Sequence, residues 1–248
     1  MTAAHTISLF NSNADMTAAL VNDACFALDA PGPHGLLLSG GSSPCDFYAA
    51  LGQVELAWQN IDVALVDERW VDEDDAGSNA ALVKRTLMTD AAKAARFTPM
   101  KTPATTPHQA ADELDAVYRA LPQPSLSILG MGPDTHTASW FAEAAEYEAV
   151  SSADAPQMVA GLTAPQSTVT GNYLHRMTIT GAMLALSRKA FLIIKGDSKI
   201  ALLEDCLSSP SPASPIARAA AILGARLQIF ALRGDGSVSY THLTLPTN

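Results

Sequence analysis

Short apolar runs alternate with segments of helical period along the chain. Five of these runs have the length and the Leu-rich or β-branched character of buried strands, and each is closed by glycine or by a charged cluster. They are HGLLLSG from residue 34, IDVALVDE from residue 61, SLSILGMG from residue 125, KAFLIIKG from residue 189 and ARLQIFAL from residue 225. Each is predicted to form a buried strand.

Helical segments lie between these strands. Apolar residues recur three and four positions apart, and Asp, Ser or Pro stands near the first position of each segment. The predicted helices are PCDFYAALG from residue 44, SNAALVKRTLM from residue 78, HQAADELDAVYRALP from residue 108 and DSKIALLEDCLS from residue 197. The alternation predicts an α/β fold: a doubly wound, Rossmann-like and mostly parallel sheet with helices on both faces. In such folds ligands bind beyond the carboxyl ends of the strands.

The pattern predicts a single α/β domain over residues 1–233. No repeat or long low-complexity linker interrupts it, although SSPSPASP at 208–215 is predicted as a loop and the proline-containing residues 98–107 as a connector. Residues 234–248 show neither the helical nor the strand spacing of apolar residues, and their ending SYTHLTLPTN resembles vector-derived sequence. We expect residues 234–248 to be a non-native or disordered tail.

Composition narrows the possible ligands. The chain has 248 residues, of which 48% are hydrophobic, and it carries a formal net charge of -10 at pH 7. A core of ordinary size is therefore expected, whereas nucleic-acid binding is not, because that affinity comes mainly from clustered Lys and Arg. An anionic small molecule would have to be held by a few basic residues placed locally.

Cysteine usage and the N-terminus indicate a cytoplasmic protein. Cys25, Cys45 and Cys206 are odd in number, far apart and without metal-like spacing, so they predict neither a disulfide framework nor a zinc site. The opening MTAAHTISLF lacks the basic and apolar regions of a signal peptide, and no run approaches the ~18 apolar residues of a membrane span. No membrane partner and no metal are expected, and the oligomeric state is left open.

A glycine-rich loop, SGGSSP, follows the first predicted strand and precedes a predicted helix. Gly40 and Gly41 let backbone N–H groups approach a ligand, Ser42 and Ser43 add hydroxyl groups, and the helix N-terminus adds partial positive charge. This combination favours a phosphate. A plain tight turn with a serine cap explains the same residues equally well.

Charged residues follow the later strands. Asp67 and Arg69 in VDERW could provide a carboxylate and a guanidinium able to bind phosphate oxygens. Arg176 in HRMTIT and Lys199 in KGDSK would add local positive charge. Taken singly, VDERW also fits a solvated edge, and Arg176 and Lys199 fit surface cations.

The stretch GMGPDTHTASWF, residues 130–141, is the candidate catalytic segment. Asp134 could orient His136 and fix its tautomer, while the glycines and the start of a following helix could donate N–H groups to an oxyanion. Ser139 lacks a nucleophile-elbow pattern and is expected on that same helix start, so a Ser-His-Asp triad is not supported. The alternative is an ordinary strand-to-helix turn with a capping Asp.

Together these motifs resemble the 6-phosphogluconolactonase family, within the glucosamine-6-phosphate isomerase/6-phosphogluconolactonase superfamily. SGGSSP, DERW, GSN at 77–79, GMGPDTHTASWF, RMT and GDSK occur in the family's order. The resemblance implies the sugar-phosphate isomerase type of fold and hydrolysis of the δ-lactone of 6-phosphogluconate in the pentose phosphate pathway. It also implies a small-molecule sugar phosphate as partner, and neither metal nor organic cofactor.

The resemblance also implies roles for individual residues. His136 would act as the general base that activates water, with Asp134 orienting it and Asp67 as a second candidate for orienting water or sugar hydroxyls. The phosphate would be held by the group Gly40, Gly41, Ser42, Ser43, Arg69, Arg176 and Lys199.

Three departures from the family pattern bear on activity. Thr135 stands where the family usually has Gly, and a positive φ there would be costly for a β-branched residue. GNYLH, before Arg176, lacks the usual diproline, and the chain lacks the usual tryptophan-leucine-aspartate ending.

Two other functions remain open. A glucosamine-6-phosphate deaminase is similar, but such enzymes usually continue the histidine motif toward F-N-E-P, where this chain has TASWFAEA. A non-catalytic sugar-phosphate sensor would keep the phosphate cradle and lose the histidine geometry through Thr135. Sensors of that kind normally carry a helix-turn-helix segment, which the sequence does not show.

Overall fold

The structure, a computed structural model, describes residues 5–234 and the backbone of residues 241–244. Its strands are β1 (Thr6–Phe10), β2 (His34–Leu38), β3 (Ile61–Leu65), β4 (Asp67–Arg69), β5 (Arg96–Thr98), β6 (Pro124–Leu129), β7 (Val159–Thr163), β8 (His175–Ile179), β9 (Ala190–Lys195), β10 (Leu227–Leu232) and β11 (Thr241–Thr244). Its α-helices are α1 (Asn13–Leu28), α2 (Cys45–Leu51), α3 (Asn79–Thr86), α4 (Pro107–Arg119), α5 (Tyr147–Val150), α6 (Gly181–Ala185), α7 (Asp197–Ser208) and α8 (Pro215–Leu223). Short 3₁₀ helices cover Trp58–Asn60, Asp90–Ala94 and Gly224–Arg226.

The main sheet is parallel apart from one edge strand. Its order is β11-β1-β10-β9-β6-β2-β3-β5, and only β11 pairs antiparallel. Every residue of β2, β3 and β6 is buried, as expected for strands covered on both faces. The predicted doubly wound α/β fold is confirmed.

The direction of winding reverses between β2 and β6. From β2 the chain proceeds to β3 and β5 on one side, and it then returns to β6, β9 and β10 on the other. The connections that follow the carboxyl ends of β2 and β6 therefore run in opposite directions and leave a crevice between them. In open α/β sheets this is where ligands bind.

A second, smaller antiparallel sheet has the order β4-β8-β7. The prediction of one strand over IDVALVDE is wrong, because the chain changes sheet at Val66. The Val66 N–H donates to the Leu38 carbonyl of the main sheet at 2.8 Å, and its carbonyl accepts from the Ile179 N–H at 2.8 Å. Asp67 and Arg69 consequently lie on β4 of the second sheet.

The first strand and helix of the chain are not among the predicted elements. Ser12 caps α1 by accepting a hydrogen bond from the Asp15 N–H at 3.4 Å. The helix buries Met16, Leu20, Ala24 and Leu28, which are spaced four residues apart. This four-residue spacing is visible in the sequence. Alanines on the other faces of the helix make the buried face less distinct from the exposed one.

The loops between helices and strands lie close to their predicted positions, whereas part of the tail forms a strand. The expected loop and connector fall in the gaps between α7 and α8 and between β5 and α4. Thr241–Thr244 form a strand against β1, where no strand was expected. Residues 235–240 and 245–248 of the predicted non-native or disordered tail lie outside the described residues. None of the helices in the described ranges is both long and apolar enough for a membrane span.

Candidate active site

A cavity of about 290 Å³ opens at the reversal point between β2 and β6. The loops after both strands, the second sheet and the start of α7 contribute to its wall. Nine of the ten predicted site residues line it: Gly40, Gly41, Ser42, Ser43, Asp67, Arg69, His136, Arg176 and Lys199. The tenth, Asp134, contacts His136.

The glycine loop presents unused backbone donors to this cavity. The N–H groups of Gly41, Ser42 and Ser43 donate to no acceptor among the described residues. Gly41 has a φ of 87°, a conformation that glycine adopts without steric cost. Three N–H groups without partners beside a helix start suit a phosphate or another oxyanion.

Close packing explains the neighbouring Gly40. A Cβ at this position would collide with the carboxamide of Asn79. That carboxamide donates from Nδ2 to the Asp67 backbone carbonyl at 2.7 Å. Gly40 thus lets the glycine loop approach the strand that carries Asp67 and Arg69.

His136 and Asp134 form a hydrogen-bonded pair in the loop after β6. Asp134 Oδ1 accepts from His136 Nδ1 at 2.5 Å and from the His136 backbone N–H at 3.3 Å. Burial acts to raise the Asp134 pKa, but the hydrogen bonds from His136 outweigh it and hold that pKa below its ordinary value. An ionised Asp134 fixes the proton on Nδ1 and leaves the Nε2 lone pair of His136 available to accept one.

Two neighbours complete the surroundings of His136. The ring of Phe141 contacts the imidazole in a tilted arrangement, with centroids 4.6 Å apart. A Cβ at Gly132 would collide with the imidazole and with the Asp134 carboxylate, so glycine makes room for the pair. The imidazole is therefore held in one orientation.

The segment directly after His136 is a turn and not the predicted helix. Thr137 and Trp140 form an isolated antiparallel bridge around a turn, and the next helix, α5, starts only at Tyr147. Ala138 and Ser139 have φ values of 51° and 55° in this turn. Trp140 is fully buried, so the packing of its side chain favours the turn over a helix. The oxyanion donors expected from a helix start are accordingly absent.

Thr135, which stands where the family usually has glycine, has a positive φ. Its φ is 67°, in the left-handed region that a β-branched residue rarely enters. The His136–Asp134 hydrogen bond nevertheless forms. Strain at Thr135 is therefore tolerated without loss of the pair.

Arg69, Arg176 and Lys199 bring three positive charges to the cavity. Arg69 Nη1 donates to the Gly77 carbonyl at 2.6 Å, and its guanidinium lies 5.9 Å from the ring of Tyr173. Lys199 Nζ donates to the Met131 carbonyl at 2.8 Å. Arg69 and Lys199 are each held by a neutral carbonyl group. Neither forms an ion pair with a carboxylate of the described residues, so both charges are available to a ligand.

Arg176 is the most enclosed of these cations, with 5% of its surface exposed. Its Nε donates to the Tyr173 carbonyl at 2.7 Å, so the segment without the diproline still places the side chain in the cavity. Burial lowers its pKa to about 10, with Asp67 acting in the opposite direction and Arg69 in the same one. A buried guanidinium without a carboxylate partner favours an anionic ligand.

Glu68 and Asn79 are structural residues of the site that the sequence did not assign. The Glu68 carboxylate is buried and accepts from the N–H groups of Arg69, Asn79 and Ala80, each at 2.8 Å. It thereby joins β4 to the start of α3. In the sequence, the motifs DE at 67–68 and SN at 78–79 precede these contacts, but only the family resemblance indicates that the two motifs belong to one site.

The described residues contain no group of three or more His, Cys, Asp or Glu side chains arranged to hold a metal ion. The cavity instead combines N–H donors, three cations and one His–Asp pair. These features define an α/β protein with a cavity suited to a small anionic ligand at a topological switch point and with a candidate general base beside it.

Comparison with known proteins identifies the family. Residues 11–226 match the family described as glucosamine-6-phosphate isomerases/6-phosphogluconolactonase. A 6-phosphogluconolactonase of Xylella fastidiosa is 36% identical over 199 residues, covering 80% of this chain and 82% of the relative. One of Pseudomonas aeruginosa is 37% identical over 183 residues, covering 73% and 75%. The chain belongs to this family.

A solved structure agrees with this assignment. The crystal structure of a 6-phosphogluconolactonase from Shewanella baltica superposes with a TM-score of 0.84 at 26% identity, over 93% of this chain and 98% of that one. The fold and family that the motifs indicated are confirmed.

Proposed function

We propose that the protein hydrolyses 6-phosphogluconolactone to 6-phosphogluconate. The observation that carries this proposal is the His136–Asp134 pair in the same cavity as three cations and the glycine loop. The relatives from Xylella fastidiosa and Pseudomonas aeruginosa are 6-phosphogluconolactonases, which supports the same reaction. The pair supplies a base, and the cations supply a site for the phosphate.

The reaction needs little beyond positioning and proton transfer. His136 Nε2 removes a proton as a water oxygen bonds to C1 of the lactone and gives a tetrahedral intermediate. The C1–ring oxygen bond then breaks, and the protonated imidazole returns its proton to the leaving ring oxygen. General acid–base catalysis of this kind contributes ~10² to 10⁴-fold.

Asp134 and Asp67 have supporting roles. Asp134 keeps the Nδ1 proton in place and stabilises the imidazolium formed during attack, because it stays ionised. Asp67 lines the same cavity and could orient the water or the sugar hydroxyls.

Phosphate binding supplies alignment. Arg69, Arg176, Lys199 and the N–H groups of the glycine loop would hold the 6-phosphate away from the reacting carbon. Binding energy from that distant group then fixes C1 beside His136.

The proposed setting is a cytoplasmic one. Cys25, Cys45 and Cys206 are free cysteines in the structure, which suits a reducing compartment.

The test is a comparison of two substrates. The protein should hydrolyse 6-phosphogluconolactone above the spontaneous rate and release no ammonia from glucosamine 6-phosphate. Ammonia release at a comparable rate would establish a deaminase instead. Tight binding of 6-phosphogluconate without turnover of either substrate would establish a non-catalytic sugar-phosphate sensor.

A further inference from the structure

Ser139 lies between two charged groups of the cavity that do not pair directly. Within the described part of the chain no ion pair joins Asp67 to Arg176. Ser139 Oγ donates to Asp67 Oδ2 and accepts from Arg176 Nη1 at 3.4 Å. A single hydroxyl therefore links the carboxylate of β4 with the guanidinium of β8.

This hydroxyl is enclosed, and its only proton is engaged in a hydrogen bond. Ser139 is 1% exposed and lines the cavity. Its one proton goes to the carboxylate, and one lone pair receives the guanidinium.

The backbone at Ser139 is in the left-handed region, with a φ of 55°. Glycine would adopt this conformation at lower cost, so a residue with a side chain here carries strain. Such strain persists where the surrounding structure imposes it, and it concentrates at functional sites. This backbone conformation places the Ser139 hydroxyl within hydrogen-bond distance of the two charged groups.

Strand β8 holds the strained turn in place. Thr178 Oγ1 donates to the Ala138 carbonyl, and Trp140 Nε1 donates to the Ile179 carbonyl at 2.9 Å. Arg176 lies on the same strand. The turn and the guanidinium are thus fixed to one common support.

We infer that Ser139 is a positioning residue of the proposed lactonase, and this inference rests on the proposed function. Its hydroxyl holds the Asp67 carboxylate and the Arg176 guanidinium in a single relative orientation across the cavity. Arg176 is then held at Nε by Tyr173 and at Nη1 by Ser139, which leaves Nη2 without a partner among the described residues. Both N–H groups of Nη2 and the second N–H of Nη1 remain as donors for an anionic substrate.

Two variants separate the hydroxyl from the backbone. Ser139→Ala and Ser139→Gly both lack the hydroxyl, whereas only glycine relieves the positive φ. Both should lower kcat/KM by ~10-fold, the loss expected for a charge-assisted hydrogen bond. Thermal unfolding should show Ser139→Gly to be more stable than Ser139→Ala. Activity and stability would then change independently.

Asp90→Gly is the matched control. Asp90 also has a positive φ, of 47°, but it is exposed and does not line the cavity. Its replacement should leave kcat/KM unchanged. Wild-type kcat/KM in Ser139→Ala, or activity in the two Ser139 variants that rises and falls with their stability, would overturn the inference.

A double-mutant cycle tests whether Ser139 acts through its partners. In Arg176→Ala and Asp67→Ala backgrounds, Ser139→Ala should cost less than ~2-fold in kcat/KM, because the partner has already been lost. A further ~10-fold loss in both backgrounds would contradict the positioning role.

Calorimetric binding of 6-phosphogluconate separates the inference from the proposed function. Wild-type protein without lactonase activity would refute the proposed function alone. In that case ~10-fold weaker product binding by Ser139→Ala still supports the orientation of Arg176, and unchanged binding refutes it.

Discussion

Arg69 and Arg176 stand directly opposite each other on the antiparallel strands β4 and β8. Both side chains line the same cavity, and neither forms an ion pair with a carboxylate of the described residues. Like charges directly opposite each other destabilise a sheet. The unliganded fold therefore contains a repulsion that a bound anion would relieve.

Replacing Arg176 with Met should stabilise the protein while weakening its ligand binding. Burial of the guanidinium and its repulsion by Arg69 together outweigh its attraction to Asp67, as the lowered pKa of Arg176 shows. Because the change removes all three, we expect the free energy of unfolding to rise by about 1 kcal/mol. The rise in Tm caused by saturating 6-phosphogluconate should shrink. Arg188→Met, at an exposed position, should alter neither quantity. A less stable Arg176→Met protein would show that its hydrogen bonds to Tyr173 and Ser139 outweigh the repulsion.

Substrate affinity should depend chiefly on the phosphate. Arg176→Ala and Lys199→Ala should each raise KM for the phosphorylated lactone by ~10 to 100-fold, because each removes a charge-assisted hydrogen bond. Hydrolysis of unphosphorylated gluconolactone should scarcely change, since it does not use these groups. Equal losses on both lactones would indicate damage to the fold, and no loss on either would exclude both residues from phosphate binding.

The His136–Asp134 pair should control turnover and not affinity. His136→Ala should lower kcat by ~10² to 10⁴-fold and leave the affinity for 6-phosphogluconate nearly unchanged. Asp134→Asn should lower kcat less, because the base remains but its tautomer is no longer fixed. His108→Ala is the control, since His108 pairs with Glu146 outside the cavity. Normal turnover in His136→Ala would exclude the proposed mechanism.

The main sheet was predictable because its strands are buried on both faces and read as continuous apolar runs. The same reasoning failed at IDVALVDE, since a change of sheet at Val66 leaves the apolar pattern intact. It failed again after His136, where a buried tryptophan and contacts with a distant strand favour a turn over a helix.

The predicted glycine loop and His136 loop do follow buried strands of the main sheet, whereas Asp67, Arg69 and Arg176 lie within strands of the second sheet. The link from Asp67 through Ser139 to Arg176 was not recognisable in the sequence, because it joins segments 37 and 72 residues apart along the chain. A backbone strain such as that of Ser139 also leaves no trace in the residue type. Only Thr135 revealed its positive φ in advance, through comparison with the family's glycine.

Relieving the strain at Thr135 should stabilise the fold. A left-handed conformation costs a residue with a side chain about 1 to 2 kcal/mol, and glycine returns roughly 0.5 to 1 kcal/mol of that as backbone entropy. Thr135→Gly should therefore raise the free energy of unfolding by about 0.5 to 1 kcal/mol, whereas Thr135→Ala should raise it less. Urea unfolding of the three proteins checks this order. A destabilised Thr135→Gly would show that the side chain makes a compensating contact.

Glu68 should make the protein more stable at mildly acidic pH than at neutral pH. Burial raises its pKa to about 6 from the ordinary 4.5, although three backbone N–H groups act to lower it. A carboxyl whose pKa is raised on folding binds its proton more tightly in the folded state. Its stabilising contribution is therefore complete below pH 4.5 and is lost as the pH rises through 6.

The size of this effect follows from the shift and can be isolated with one variant. A rise of the Glu68 pKa from 4.5 to about 6 corresponds to at most about 2 kcal/mol of unfolding free energy. Glu68→Gln should be less stable than wild type throughout, because its NH₂ group faces backbone donors, and it should lack this titration. The stability difference between the two proteins, measured by urea unfolding, should be about 1.5 kcal/mol larger at pH 4.5 than at pH 7.5. A difference that grows toward pH 7.5 would mean that the N–H donors dominate and that Glu68 is held ionised at the start of α3.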